Sequence, residues 1–232
     1  MTEPFLSFHL LAQAVLRQSG DKRPFFLEIG AMDGVQYDVM YPHAKTGAWD
    51  GVLAEPMPDM FAALKKNYEG VAGLRFANCA IDSGNGTLKM TRADAELIRQ
   101  GIFPPEYMGM TTSLRREAFF QRGKLTKEQE ALVEKGLVDV EVPCCTLSRL
   151  IEDFGISKID LLIIDTEGSD WQIAQQLDLT LFRPRLICLE YAHFSEQDKH
   201  ACTAHFEAHG YSHATCAAEN LNRLFYDKSL ME

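Results

Sequence analysis

Short apolar runs alternate with stretches of helical periodicity along this chain. Buried strands are predicted at 25–29, 51–55, 74–80, 159–165 and 186–191. Amphipathic helices are predicted at 58–68, 148–154, 170–177 and 196–208. Strands that alternate with helices build a parallel sheet through right-handed crossovers. The pattern therefore predicts an α/β fold with a doubly wound, mostly parallel, Rossmann-like sheet.

The remaining segments are expected to complete one domain that spans residues 1–232. An amphipathic N-terminal helix is predicted at 4–19, followed by the stop signal Ser19-Gly20. Two short strands near Tyr211 and Leu224 are expected to close the sheet as an antiparallel C-terminal hairpin. A more polar segment, about 92–139, holds too few core-forming residues to fold alone. We expect it to be an insertion that lies over the sheet.

The composition of the chain limits the kinds of molecule that we expect it to bind. The net charge is −10, from 33 acidic residues against 23 lysines and arginines, whereas nucleic acids bind clustered positive charge. None of the six cysteines forms a C-x-x-C pair, which favours small buried thiols in a reducing compartment. No run approaches the ~20 apolar residues of a membrane helix. We therefore expect a cytoplasmic protein that binds neither nucleic acid nor membranes; its oligomeric state is not predicted.

The strongest chemical signal is the turn Glu28-Ile29-Gly30-Ala31-Met32-Asp33-Gly34, directly after the first predicted strand. Glycines in such a turn let the backbone bend sharply and let a ligand approach closely. Glu55 ends the second predicted strand, roughly 20 residues further on, where a carboxylate can accept hydrogen bonds from both hydroxyls of a ribose. The combination predicts a nucleoside ligand.

The charge of the turn distinguishes between nucleosides. A dinucleotide site has G-x-G-x-x-G, whose bare backbone meets a pyrophosphate at a helix N-terminus. This turn has Ala31 and Met32 instead, and the acidic Glu28 and Asp33 lie beside it. Acidic groups would repel pyrophosphate but suit the ammonium and sulfonium groups of S-adenosylmethionine. We therefore predict S-adenosylmethionine as the cofactor.

The turn lies in the first of five short sequence segments that follow one another along the chain. They are LEIGAMDG at 27–34, WDGVLAEPMP at 49–58, NCAI at 78–81, IDLLIIDTEG at 159–168 and LEY at 189–191. Together they resemble the FkbM-type S-adenosylmethionine-dependent methyltransferases. The resemblance covers most of the chain and is weak across the N-terminal helix and the 92–139 insertion. Thr166 and Ser169 depart from the residues that are commoner in the family.

The resemblance implies which residues hold the cofactor. Glu28, Gly30, Asp33 and Gly34 would shape its methionine end, Glu55 would hold the ribose, and the edge from Asn78 to Ala80 would border the adenine. Asp38 stands where the family often has a small polar residue near the cofactor. The full expected set is Glu28, Gly30, Ala31, Asp33, Gly34, Asp38, Glu55, Pro56, Asn78, Cys79, Ala80 and Asp165.

The expected catalytic residues are Asp165, Glu167 and His193. The two acids follow a central strand, where open α/β sheets bind ligands, but they would equally well cap the next helix. His193 would serve as a general base for a hydroxyl acceptor, or as a packing histidine. Asp165, Glu190 and His193 could also gather a divalent cation, or could simply be hydrogen-bonded; no metal is expected.

The insertion is expected to supply the acceptor pocket. Its apolar and hydroxyl side chains would either line that pocket or pack as an ordinary loop; they are Phe103, Tyr107, Met108, Met110, Thr112 and Ser113. The predicted function is O-methylation of a small or medium-sized metabolite. An NAD-dependent oxidoreductase on a similar sheet and a non-catalytic module that keeps the cofactor fold are the alternatives.

Overall fold

The strands of the protein form two sheets. They are described in a computed structural model that covers residues 4–100, 111–112, 118–121, 126–217 and 221–232. The strands are β1 Phe5–Leu6, β2 Phe25–Ile29, β3 Asp50–Ala54, β4 Leu74–Ala77, β5 Ala80–Ile81, β6 Gly86–Ala93, β7 Thr111–Thr112, β8 Leu137–Cys145, β9 Leu161–Ile164, β10 Leu186–Glu190, β11 Ser212–Cys216 and β12 Asn222–Tyr226.

The helices lie between these strands. They are α1 Phe8–Gln18, α2 Tyr41–Ala44, α3 Pro58–Asn67, α4 Ala95–Arg99, α5 Ala118–Gln121, α6 Lys127–Gly136, α7 Leu147–Asp153, α8 Asp170–Ala174 and α9 Glu196–Ala208, with a short 3-10 helix at Lys228–Met231. In the part of the chain that the structure describes, no helix is long and apolar enough to cross a membrane.

The larger sheet has eight strands in the order β1-β11-β12-β10-β9-β2-β3-β4. The run from β10 to β4 is parallel throughout. Strand β12 is antiparallel to both of its neighbours, β10 and β11, and forms the C-terminal hairpin with β11. The predicted fold class, a doubly wound and mostly parallel Rossmann-like sheet with an antiparallel hairpin strand, is therefore confirmed.

Both faces of the sheet are covered, which explains why its central strands are apolar throughout. Successive residues of a strand point to opposite faces. Leu162 and Ile164 of β9 thus join one core cluster with buried residues of α7, α8 and α9. Leu161 and Ile163 join a second cluster with buried residues of α1 and α3. Packing against both faces holds the ends of the strands in place.

The start of the chain differs from the predicted helix at 4–19. Helix α1 begins at Phe8, and β1 before it pairs in parallel with the edge strand β11. The Thr215 N–H donates to Pro4 O at 3.0 Å, and the Ala217 N–H donates to Leu6 O at 2.8 Å. An edge strand leaves backbone groups to be paired. Local periodicity could not reveal this pairing, because β11 lies at the other end of the sequence.

The strand predicted at 74–80 was also wrong as a single element. Strand β4 ends at Ala77, and β5 belongs to a second sheet. The side chain of Asn78 donates to the carbonyls of Glu55 and Pro56 at 2.8 and 3.0 Å. These bonds tie the segment between β4 and β5 to the end of β3, where the chain leaves the first sheet.

The second sheet has four strands in the order β5-β8-β6-β7. Strands β6 and β8 pair at Thr91 with Asp139, so the predicted 92–139 insertion begins and ends on adjacent strands. Its described residues include a small apolar cluster, made of Ala93, Ile98, Phe119, Val133 and Leu137. The organisation of the whole chain as one domain stays a prediction.

Candidate functional site

The candidate site lies where parallel strands end and the connections diverge. From β2 the chain continues to β3 and β4 on one side, whereas β9 and β10 lie on the other. In open α/β sheets such a switch point leaves a crevice at the carboxyl ends of the strands, which is where ligands bind. The predicted site residues follow β2, β3, β9 and β10, so the topology brings their backbones to one edge.

The turn after β2 is fixed by close backbone contacts. Gly30 has a φ of 89°, its N–H donates to Ala54 O at 2.9 Å, and a Cβ at this position would overlap the carbonyl oxygen of Asp165. Gly34 has a φ of 71°, and a Cβ there would meet the side chains of Leu64 and Tyr68. Glycine is therefore required at both positions: Gly30 lets the turn lie against the end of β9, and Gly34 lets it pack against side chains of and just after α3.

The two other predicted residues of this turn have structural partners. Ala31 is buried, and its N–H also donates to Ala54 O, at 3.1 Å. Asp33 Oδ1 accepts from the N–H groups of Val35 and Gln36, both at 2.9 Å. The Asp33 carboxylate thus holds the loop that follows the turn, and it is half-buried at the rim of the crevice.

Glu55 is buried at the end of β3 and ties two segments together. Its Oε2 accepts from the Met32 N–H at 2.9 Å, and its Oε1 accepts from the Met57 N–H at 2.8 Å. Burial raises the pKa of Glu55 to about 7, although the two backbone hydrogen bonds and the charge of Arg92 lower it. The carboxyl group is therefore poised between its neutral and ionised forms near neutral pH.

Arg92 was not among the predicted site residues. Its side chain is buried in β6, and its Nη1 donates to Asp59 Oδ1 at 2.6 Å, at the start of α3. The signal that could have found it, an isolated arginine in a strand-like run, is too common to be informative. Its charge favours the ionised form of Glu55.

Glu28 and Asp38 form a buried pair of carboxyl groups beneath the turn. Asp38 Oδ1 accepts from the N–H groups of Met40 and Tyr41, and its Oδ2 accepts from the Tyr68 hydroxyl at 3.1 Å. Burial raises the pKa of Asp38 to about 6. Burial and then the neighbouring Asp38 raise the pKa of Glu28 well above its usual range. Among the described residues, no N–H or O–H group donates to Glu28 Oε2.

The loop after β9 is held by an acid that sequence reasoning missed as a site residue. Asp170, the first residue of α8, is fully buried and accepts from the Thr166 N–H, the Thr166 hydroxyl and the Gly168 N–H at 3.0 to 3.2 Å. Burial raises the pKa of Asp170 to about 6. Thr166, which departs from the family pattern, is thus one of its partners. The spacing of Thr166 and Asp170, four residues apart at a helix start, was the available signal.

The same loop presents Glu167 to the next strand. Glu167 has a φ of 56°, a conformation that is uncommon outside glycine, and Gly168 follows with a φ of 124°. His193 Nε2 lies 2.8 Å from Glu167 Oε2 and 3.8 Å from Glu190 Oε1. Asp165 is half-buried, and its N–H donates to Ile29 O at 2.9 Å. The structure thus brings Glu167 and His193 into direct contact, while Asp165 stays on the crevice side.

Three of these side chains could also hold a cation. One ligand atom of each of Glu167, Glu190 and His193 lies within 4.8 Å of the others. Carboxylate oxygen and imidazole nitrogen are common ligands of divalent metals. The group differs from the one considered in the sequence, because it contains Glu167 in place of Asp165.

A cavity of about 440 Å³ opens beside this cluster. Its lining is mixed polar and apolar. It is formed by the loop after β9, by α8, by the loop after β10 and by the start of α9; the residues are Gly168, Gln172, Ala192, His193, Phe194, Ser195 and Asp198. A cavity of this volume suits a small organic molecule. The predicted acceptor residues of the insertion, from Phe103 to Ser113, have side chains that lie outside the described residues.

The adenine edge predicted from the sequence spans the junction of the two sheets. Asn78 is anchored to the chain after β3, and Ala80 begins β5, which pairs with β8. Between them, Cys79 Sγ lies 3.7 Å from Cys145 Sγ. Pro56 is buried next to Glu55 and accepts from the Asn78 side chain. All the predicted cofactor residues therefore lie at or next to the carboxyl ends of β2, β3, β4 and β9.

Sequence comparison gives an independent view of the chain. Residues 28–213 match the family model described as the methyltransferase FkbM domain. The methyltransferase sdnD of Sordaria araneosa is 28% identical over 169 residues, which are 67% of this chain and 61% of that protein. The chain thus spans about three fifths of the length of this relative.

Solved structures show the same fold. The methyltransferase FkbM from Methylobacillus flagellatus KT matches with a TM-score of 0.50 at 11% identity, covering 89% of this chain and 44% of that chain. The METTL16 methyltransferase domain (crystal form 2) matches with a TM-score of 0.50 at 10% identity, covering 94% of this chain and 65% of that chain. At such identities the likeness concerns the fold alone.

Proposed function

Because the chain belongs to the FkbM methyltransferase family, we propose that it transfers a methyl group from S-adenosylmethionine to an oxygen atom of a small or medium-sized metabolite. Family membership bears out the predicted cofactor. One observation supports the proposal. The loop after β9 serves both regions, because Asp165 is close enough to Glu28 to act on its pKa and Gly168 lines the cavity beside His193.

The acidic groups of the crevice fit the charge of this cofactor. Glu28 Oε2 is buried without a donor among the described residues, and Asp38 and Asp165 are close enough to raise the pKa of Glu28. A positive ligand group at this place would favour the ionised carboxylates. The pyrophosphate of NAD would instead meet negative charge, so the oxidoreductase alternative fits the crevice poorly.

We assign the nucleoside end to Glu55 and the edge from Asn78 to Ala80. Each carboxylate oxygen of Glu55 accepts one backbone N–H and retains a second lone pair. These lone pairs can accept hydrogen bonds from two ribose hydroxyls. The Asn78 side chain donates to the carbonyls of Glu55 and Pro56 and therefore fixes the position of the Glu55 carboxylate relative to the adenine edge.

We assign the acceptor end to the cavity beside His193. When bound, S-adenosylmethionine supplies an electrophilic methyl carbon on a positively charged sulfur. His193 takes the proton of the acceptor hydroxyl, and Glu167 orients the imidazole and stabilises its positive form through the 2.8 Å contact. Asp165 holds the acceptor from the crevice side. The surrounding loops hold the reactants in line and exclude water, which accounts for much of the acceleration.

The acceptor class follows from charge and volume. The net charge of −10 disfavours polyanionic acceptors. The cavity of about 440 Å³ accommodates a small or medium-sized molecule, and its carboxylate, amide and hydroxyl groups suit a hydroxylated one. We therefore propose a hydroxylated metabolite, rather than a nucleic acid, as the acceptor.

Calorimetric titration tests the cofactor half of this proposal. S-adenosylhomocysteine should bind to the purified protein, whereas NAD should not. Tight binding of NAD alone would favour the oxidoreductase. Transfer of a labelled methyl group from S-adenosylmethionine to any component of a pooled metabolite extract would exclude the non-catalytic module.

A matched pair of histidine variants tests the acceptor half. His193→Asn should lower kcat at least tenfold, with little change in cofactor affinity. His200→Asn, at an exposed position of α9, should behave as the wild type. Activity that survives EDTA supports His193 as the base. Activity that EDTA abolishes and Mg²⁺ restores would assign Glu167, Glu190 and His193 to a cation instead.

A further inference from the structure

Two cysteines meet at the junction of the two sheets. Cys79 precedes β5 and Cys145 ends β8, and their sulfur atoms lie 3.7 Å apart. Strands β5 and β8 pair in parallel at this point, which fixes the separation of the two backbones. Cys144 points to the other face of β8, as alternation requires, and its Sγ lies 3.7 Å from Gly84 O. Only Cys79 and Cys145, among the described cysteines, have their sulfurs in contact.

The contact makes the two thiols chemically unequal. The hydrogen bond between the two thiols, followed by the charge of Arg149, lowers the pKa of Cys145 despite its burial and the nearby Asp153. The same hydrogen bond raises the pKa of Cys79. Both residues are half-buried and reachable by a small molecule. The thiolate, rather than the thiol, is the nucleophile, so Cys145 reacts first and Cys79 is positioned to resolve the product.

The other cysteines provide a contrast. Cys188, Cys202 and Cys216 are buried in the core, with exposed fractions of 1% or less. Burial raises the pKa of Cys202 to about 12, so this thiol stays protonated and inert. Their location in core clusters explains them as small apolar side chains.

We propose that Cys79 and Cys145 form a reversible disulfide when the protein meets a peroxide, and that this bond weakens cofactor binding. The second half rests on the proposed function, because it needs the adenine edge from Asn78 to Ala80. The first half is independent of it. The bond would make methyl transfer responsive to oxidants.

The chemistry balances with hydrogen peroxide as the oxidant. The Cys145 thiolate attacks one peroxide oxygen, an S–O bond forms, and the O–O bond breaks to release hydroxide, which takes up a proton as water. The Cys79 sulfur then attacks the Cys145 sulfenic acid. The S–S bond forms, the S–O bond breaks, and the leaving hydroxyl departs as water with the proton of Cys79. Two thiols and one peroxide thus give one disulfide and two waters.

Closure of the bond would draw the adenine edge towards β8. A disulfide has an S–S distance of about 2.05 Å, so the two sulfurs must approach by about 1.6 Å from their 3.7 Å separation. Cys79 follows Asn78 directly, and the Asn78 amide holds the carbonyls of Glu55 and Pro56. Movement of Cys79 towards β8 therefore pulls on the residues that position the ribose-binding carboxylate.

The disulfide is tested on the full chain, by mass spectrometry after brief treatment with hydrogen peroxide. The wild type should lose the mass of two hydrogen atoms, peptides containing Cys79 and Cys145 should be linked, and dithiothreitol should reverse both changes. Cys144→Ser should still form the link, whereas Cys79→Ser and Cys145→Ser should not. Cys79→Ala provides a second variant at the first position. No link, or a link through Cys144, would overturn the proposal.

Titration of the oxidised protein tests the coupling. S-adenosylhomocysteine should bind the oxidised wild type about tenfold more weakly than the reduced wild type, a typical coupling between two sites. Cys145→Ser should show no change in affinity on peroxide treatment. Equal affinities for fully linked and reduced wild type would overturn the coupling. Failure of the reduced wild type to bind at all would instead refute the proposed function.

Discussion

Replacement of Glu55 by glutamine tests the electrostatics of the crevice most directly. The substitution keeps the shape of the side chain and removes its ability to ionise. Glu55 accepts the N–H groups of Met32 and Met57, and burial raises its pKa to about 7. Arg92 and Asp59, from β6 and α3, are the charged neighbours that act on it in opposite directions. Alanine is a poorer choice, because it would leave both N–H groups without an acceptor, whereas the glutamine amide oxygen can still accept from one of them.

The pKa determines the size of the expected effect. A group with a pKa near 7 is about one tenth ionised at about pH 6 and about nine tenths ionised at about pH 8. If only the carboxylate binds the ribose hydroxyls, the wild-type affinity should rise about tenfold between these pH values. Glutamine keeps one acceptor oxygen, so the loss of one charge-assisted hydrogen bond, at about 1.5–3 kcal/mol, should weaken binding to Glu55→Gln by roughly 10- to 100-fold at about pH 8.

Calorimetric titration with S-adenosylhomocysteine across this pH range measures both quantities. The matched control is Glu69→Gln, since Glu69 is exposed at the end of α3. The control should keep the wild-type affinity and its pH dependence. Glu55→Gln should lose the part of the pH dependence that Glu55 contributes, leaving that of Glu28 and Asp38. The reasoning is refuted if Glu55→Gln retains the full wild-type slope, or if the wild type binds equally well at both ends of the range.

The raised pKa of Glu55 affects folding stability in the opposite direction: ligand affinity should rise with pH, whereas stability should fall. The folded state keeps the Glu55 proton up to about pH 7, whereas the unfolded chain loses it near the usual value of 4.5. The folded state thus binds more protons in this window, and its stability falls as the pH rises through it. The shift corresponds to about 3 kcal/mol, which Glu55→Gln should not show. Urea denaturation without ligand, at about pH 5 and pH 8, checks the sign.

Three further substitutions test the geometry of the site. Asp165→Asn should lower kcat at least tenfold with little change in the midpoint of urea denaturation; an unchanged rate would remove Asp165 from the active site. Gly30→Ala would place a Cβ on the carbonyl oxygen of Asp165, at a position whose φ is 89°. We therefore expect the free energy of unfolding to fall by about 1–3 kcal/mol and S-adenosylhomocysteine to bind at least tenfold more weakly. Asp170→Ala should lower the free energy of unfolding, measured by urea denaturation, by about 3 kcal/mol, because it leaves the Thr166 and Gly168 donors unpaired. A smaller loss than in the exposed control Asp178→Ala would contradict this.

The parallel part of the sheet could be predicted because its signals are local. Each central strand is an apolar run closed by glycine, proline or acidic residues, and each crossover helix has its own periodicity. The residues that leave the first sheet could not be placed in this way. No local preference of Asn78 predicts the break between β4 and β5. The break depends on hydrogen bonds from the Asn78 side chain to the carbonyls of Glu55 and Pro56, after β3. Strand β1 likewise depends on a partner about 210 residues away.

The sequence allowed candidate site positions to be named, but it did not reveal the contacts between their side chains. The glycine turn and Glu55 were evident, since each follows a strand at a recognisable spacing. The contacts of Asp170 with Thr166 and of Arg92 with Asp59 were not, because both involve residue types that are ordinarily exposed. Only the folded backbone shows that these charged groups are buried, and hence that they act on the loops around the crevice.

Burial of so many acids at one edge needs a physical reason. Burial raises the pKa of Glu28, Asp38, Glu55 and Asp170, and the charges of Asp38 and Asp165 add repulsion at Glu28, so the free protein reduces the desolvation and this repulsion by binding protons. A ligand that carries positive charge removes the same repulsion by a different route and favours the ionised forms. Binding of S-adenosylmethionine should therefore release protons, and the heat of binding should vary with the ionisation enthalpy of the buffer. We therefore propose that the crevice exchanges protons for a cationic ligand, which a pyrophosphate could not replace.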